Sequence, residues 1–212
     1  MVRYLTMAIS RFKKGQIEMT KYKTIKEADI AYKSYVDNHI RLVQEAFNRF
    51  FNEIFLCVKN RDNVRYSYNE FSTQLYRNVM NHDRSKYSAA EFEHYRKYFY
   101  PSKEDTDSKE QMEKEFNLAW EHHYKNNPHH PEYWTIDIEN RVHINRMSNY
   151  AFAEMLCDWI AMSMNQKDSV YDWWFGRKGR DDKTKYLTES DISIIDGWLT
   201  ANKDKFDFSK EK

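Results

Sequence analysis

The chain has 212 residues and a formal net charge of +1, so overall charge draws it neither to nucleic acid nor to an anionic membrane. Only 4 glycines and 3 prolines interrupt it, too few for the tight turns of a sheet-rich fold, and with 17% aromatic residues much of the core must be Tyr, Phe and Trp. No apolar run approaches the roughly 18 residues of a spanning helix, and the N-terminal run, broken by Arg3 and Arg11, is not a signal peptide, which predicts a cytoplasmic protein without a membrane partner.

These limits favour one all-α domain. Residues 1–24 read as a short irregular N-terminal arm, 25–203 as a single helical domain and 204–212 as a frayed tail. From Ile25 to Val58, Tyr32, Val36, His39, Val43, Phe47, Phe50 and Ile54 recur at three- and four-residue steps. That is the buried stripe of one long helix, and Lys33, Arg41, Glu45 and Arg49 fall off it. Lys59 to Ser67 reads as a loop. Asn69 to Asn81 is helical, with Phe71, Leu75, Val79 and His82 in phase. Ser88-Ala89-Ala90-Glu91 fits a capping box, in which Ser and Glu side chains satisfy each other's backbone N–H groups, and predicts a helix to Phe99.

After a charged loop from Pro101, a helix to Asn126 carries Phe116, Ala119, Trp120 and His123 on one face, and Pro128 stops it. His129 to Arg141 reads as a loop. Met147 to Met164 is helical, with Met147, Ala151, Met155, Asp158 and Met162 in phase. Trp173 to Arg180, aromatic and then basic, is either a contact surface or a partly packed loop. Thr188-x-x-Asp191 predicts the cap of a last helix that turns Ile192, Ile195, Trp198 and Leu199 inward. Cys57 and Cys157 lie within helical apolar patterns and read as small buried hydrophobes of a reducing compartment.

The informative placement is of histidines and acids. His39, His82, His123 and Asp158 each fall on the apolar stripe of a different helix. A charged Asp is almost never buried without a partner. Four such residues on four helices are what converging metal ligands in a bundle interior require; singly, each His also fits a hydrogen-bonded core position. Imidazole suits Mn, Fe, Co, Ni or Zn, and a carboxylate adds charge neutralisation. Helical phase turns His123 inward and His122 about 100° away. His129 and His130 lie in a loop, where phase does not choose between them.

The order His39, His82-Asp83, Asp158 resembles the H…HD…D signature of the HD-domain superfamily of metal-dependent phosphohydrolases. His82-Asp83-Arg84-Ser85-Lys86 is similar to the H-D-x-G-K form of its HD-GYP branch, with Ser85 where Gly is usual. The Gly-Tyr-Pro segment is missing from His130-Pro131-Glu132-Tyr133-Trp134, so that branch's cyclic dinucleotide substrate does not follow. Ala119-Trp120-x-x-His123, Asn127-x-His129-His130, Tyr133-Trp134 and Glu154-Met155-x-Cys157-Asp158-Trp159 are similar to a family of proteins from phages and Firmicutes over about residues 30 to 200. That family implies host cytoplasm for a phage protein and imports no activity.

The HD resemblance implies an HD-like helical bundle and one or two divalent transition-metal ions. His39, His82, Asp83 and Asp158 would hold a first ion. His123, His129 or His130 and a bridging Asp83 would hold a second. The expected activity is hydrolysis of a nucleotide or related phosphate ester. Lys86 would meet the phosphate and Asp83 would take a proton from water. Glu154, one turn before Asp158, would be a general base, an outer partner of a ligand, or the partner of Lys86 or an arginine. Trp120, Trp134 and Trp159 would wall a substrate pocket or pack in the core. Two other readings stay open: a di-iron HD-type oxygenase, and a non-enzymatic interaction protein with a structural or degenerate site.

Overall fold

The computed structural model describes residues 22–61, 67–139, 141–176 and 178–210, with backbone alone for Lys178 and Gly179. Most of the expected N-terminal arm lies outside them. The fold is all-α, as expected. In order come α1 (Ile25–Arg61), α2 (Tyr68–Met80), a 3-10 turn (Arg84–Tyr87), α3 (Phe92–Phe99) and α4 (Lys109–Asn126). A second 3-10 turn (Pro131–Trp134), β1 (Thr135–Ile138), β2 (Arg141–Ile144), α5 (Asn149–Gln166), α6 (Val170–Phe175), α7 (Lys178–Lys183), a third 3-10 turn (Thr184–Tyr186) and α8 (Glu189–Ala201) follow. Among the described residues, no helix is long and apolar enough to cross a membrane.

The chain forms two compact units. The first takes the residues up to Asn38 and Asp83–Asn127; the second takes His39–His82 and the residues from Pro128 on. The first has an aromatic interior. Tyr32 packs on Phe92 and Tyr95 at 5.1 and 6.4 Å between ring centroids, and Tyr95 and Tyr98 meet Phe116 at 5.2 and 4.3 Å. Arg96, almost fully buried, donates to Asp105 at 2.5 Å, so its charge is paired where water cannot solvate it. Ser108 caps α4 by accepting from the Gln111 N–H.

The second unit holds the large apolar core. Val43, Ile54, Phe71, Leu75, Phe152, Leu156, Ile160, Trp174, Ile195 and Leu199 are buried in it, as the periodicity of their helices predicts. Ser148 and Thr188 cap α5 and α8, each accepting from a backbone N–H three residues on. Arg61 at the end of α1 grips Asp191 through Nε and Nη2 at 2.7 and 2.9 Å, donates to Asn149 at 2.6 Å and lies over the Phe152 ring. This bidentate pair ties the ends of three helices together. α1 bends at Phe50, whose backbone leaves helical geometry (φ −126°, ψ 17°) while its ring meets Phe206 and Phe208.

Three segments differ from the sequence reading. Trp173 to Arg180, read as a contact surface or a partly packed loop, contributes to the two short helices α6 and α7, with Trp174 buried. Thr135–Ile138 and Arg141–Ile144 pair as antiparallel strands rather than forming a loop, with Ile136 opposite His143 and Ile138 opposite Arg141. Their β-branched alternation favours strands, and Glu139, at φ 52°, makes the left-handed turn. The tail after Asp204 is anchored through Phe208 rather than frayed. Phe206 and Phe208 are buried, and two backbone hydrogen bonds, Val170 to Phe206 and Phe208 to Asp168, hold them in place.

Candidate metal centre

In the second unit, three helices and the loop after Pro128 bring five side chains together. His39 comes from the buried stripe of α1. His82 follows the end of α2, where Met80 is the last helical residue and the His82 N–H still bonds the Val79 carbonyl. Glu154 and Asp158 stand one turn apart on α5, so they share a face. His129 enters from the loop.

The His39 and His82 Nε2 atoms are 3.3 Å apart, and Asp158 Oδ1 lies 3.2 Å from the first and 3.9 Å from the second. An ion about 2.1 Å from each donor would space neighbouring donors about 3.0 Å apart in an octahedron and about 3.4 Å apart in a tetrahedron. Two of the three separations, 3.2 and 3.3 Å, fall in that range and the third is wider at 3.9 Å; the donors suit a divalent metal in chemistry, and this buried cluster could bind one.

Behind it lies a second layer. Glu154 Oε1 is 2.9 Å from His82 Nδ1 and 3.3 Å from His129 Nδ1. The His129 ring lies 4.2 Å from that of His82 and 4.2 Å from that of His130, tilted against them by 40° and 42°. His129 is buried and His130 half-buried.

Electrostatics follow from this packing. Burial opposes ionisation of Glu154, but the electrostatic attraction and hydrogen bonds of His129 and His82 outweigh it and hold the carboxyl down at about 2. Burial likewise opposes the Asp158 charge, and the hydrogen bond from His39 with the electrostatic attraction of His39, His82 and His129 carries the carboxyl well below the usual range. Both acids are thus anionic and surrounded by imidazoles.

The first unit has its own cluster. Asp83, in left-handed backbone (φ 55°) that Asp tolerates better than most residues, opens the 3-10 turn. Its Oδ2 accepts from Lys86 at 2.6 Å, and its Oδ1 is 3.3 Å from His123 Nε2. His123 is fully buried, as its phase on α4 predicts, while the His122 side chain is 41% exposed. Asn127 donates to Ser85, whose hydroxyl lies 3.2 Å from His123 Nδ1.

Glu91 is the residue that sequence reasoning missed. Its helix starts at Phe92, and Glu91 makes no side-chain capping bond. The expected box with Ser88 does not form because the buried carboxylate is committed elsewhere: Oε1 is 2.8 Å from His122 Nδ1 and Oε2 2.8 Å from His123 Nδ1. The usable signal was the tandem His122-His123, which asks for an acid on a facing helix.

The tryptophans divide. Trp159 is a core residue, stacked on Trp174 and edge-on to Trp173. Trp134 is half-buried, packs against the core and donates to the Pro128 carbonyl. Trp120 is half-buried beside His123, 5.7 Å between ring centroids.

Fold and site together define an all-α protein with a buried histidine–carboxylate cluster of metal-binding type. The chain belongs to a family of unknown function, DUF5662, which matches residues 28–200. No curated protein and no solved structure matches the chain.

Proposed function

We propose that the protein is a metal-dependent phosphohydrolase of HD type that acts on a nucleotide or related phosphate ester. The observation that carries this reading is the approach of His39 Nε2, His82 Nε2 and Asp158 Oδ1 to within 3.2–3.9 Å of one another. A divalent ion held there would supply Lewis-acid polarisation of a phosphoryl oxygen and a water of lowered pKa. The neutral imidazoles supply nitrogen donors suited to Mn, Fe, Co, Ni or Zn, and Asp158 supplies the balancing charge. The sequence resemblance to HD domains implies this donor set, with Lys86 as the phosphate contact.

The test starts with metal analysis of protein purified without chelator, followed by hydrolysis of nucleoside mono-, di- and triphosphates and cyclic nucleotides. Close to one or more equivalents of a transition metal, and phosphate release that Asp158→Ala removes, is the expected result. Protein that holds under about half an equivalent, and gains none from added Mn, Fe, Co, Ni or Zn, would sink the proposal. An iron-loaded protein with an absorption band in air and no phosphate release would favour the oxygenase instead.

A further inference from the structure

Glu154 has one oxygen within reach of two imidazoles. Oε1 stands 2.9 Å from His82 Nδ1 and 3.3 Å from His129 Nδ1. A carboxylate oxygen can only accept, so each of these contacts is satisfied when the imidazole carries its proton on Nδ1. The other ring nitrogen, Nε2, is then the lone-pair atom. For His82 that atom is the one facing His39 Nε2 and Asp158 Oδ1. The four-residue spacing on α5 thus sets Glu154 at one ring nitrogen of His82 and Asp158 at the other.

We propose that Glu154 is a positioning residue, a shared carboxylate that fixes His82 and His129 in one tautomer and presents His82 Nε2 as a ligand. This rests on the reading of the second unit as a metal site. It also decides among the roles that sequence left open for Glu154. An oxygen engaged by two N–H donors and buried to 7% exposure is not placed to take a proton from a substrate or water. Its work is to hold each ring at a fixed angle and raise its basicity, as outer carboxylates do for metal-ligating histidines. The contrast with the isosteric amide is sharp. Gln at this position keeps an oxygen that can accept from both rings, whereas Ala removes the acceptor from both.

The experiment uses the full chain with 15N-labelled histidine. In metal-free protein, the His82 and His129 nitrogens should report a proton on Nδ1 in the wild type and in Glu154→Gln, and a mixture of tautomers in Glu154→Ala. Titration with Zn²⁺ should then show about 10–100-fold weaker binding for Glu154→Ala, with most of the loss restored in Glu154→Gln. Wild-type protein with the proton on Nε2 of both rings would overturn the proposal, as would Glu154→Ala binding Zn²⁺ as tightly as wild type. Should Glu154→Ala fail to fold, Glu154→Gln decides alone, and loss of the Nδ1–H tautomer in it overturns the proposal. Wild-type protein that binds no metal would overturn the metal reading instead, and the tautomer measurement still judges Glu154.

Discussion

Each unit places a buried glutamate between two imidazoles, and the two arrangements differ in a way that bears on function. Glu91 uses one oxygen for each ring, and one of those rings, His122, reaches solvent. Glu154 gives a single oxygen to two buried rings. Around Glu91 the further polar groups include Ser85 and Asn127, and beside them the Lys86 ammonium pairs with Asp83. Around Glu154 they are His39 and Asp158, a nitrogen and an oxygen donor directed at the same small space. The same device thus serves two ends. In the first unit it completes a hydrogen-bond network around buried His123. In the second it stands behind donors that could hold a cation.

The largest effect that would test this contrast is on metal content. His82→Ala removes a proposed ligand and a partner of Glu154 together, and should weaken transition-metal binding by about 100-fold or more, read by metal analysis after dialysis. Unchanged metal in that variant would move the centre out of the second unit. Lys86→Ala should lower phosphate release by roughly 100-fold while bound metal stays at the wild-type level, since an ammonium stabilises developing charge without ligating. Metal lost along with turnover would mean that Lys86 acts through Asp83 as a structural partner.

A stability control separates folding from binding. Asp191→Ala leaves Arg61 buried with half its fork unmatched and should cost about 3–5 kcal/mol in denaturant unfolding, with metal per folded molecule unchanged. The same pair predicts a pH dependence. Burial opposes the Asp191 charge, but the hydrogen bond and charge of Arg61 outweigh it, so the carboxyl lies below its ordinary range. A depressed carboxyl contributes stability above its unfolded pKa of about 3.9 and loses it as pH falls toward the folded value. Unfolding curves should therefore weaken on acidification below about pH 4, less steeply in Asp191→Asn.

Much of this was legible in the sequence because the helices bury their stripes. His39, His82 and His123 were placed by phase alone, and all three are buried. Phase also chose His123 over His122. What stayed illegible has local causes. Ser88-x-x-Glu91 satisfies the pattern of a capping box, and only the facing helix reveals that two imidazoles claim the carboxylate first. Glu154 was visible as a neighbour of Asp158, but its role depends on a ring delivered by the loop after Pro128, which has no periodicity to read. Phe206 and Phe208 sit in a polar tail, and their burial depends on Phe50 and Trp198, distant in sequence.

The smallest and most discriminating effect is expected at Glu91. Replacing it with Ala strips the acceptor from the buried His123 Nδ1 and should cost about 1–3 kcal/mol of stability, the penalty for an unsatisfied buried donor. Glu91→Gln should cost less. Its amide oxygen can serve His123, and the amide N–H can donate to His122, which is half exposed and free to take the other tautomer at little cost. Zn²⁺ affinity should remain at the wild-type value in Glu91→Gln, because the donors at His39, His82 and Asp158 are untouched. Were Glu91→Gln to weaken Zn²⁺ binding as much as Glu154→Ala, the first cluster would be a metal site in its own right, and the contrast between a hydrogen-bond network and an open donor set would fail.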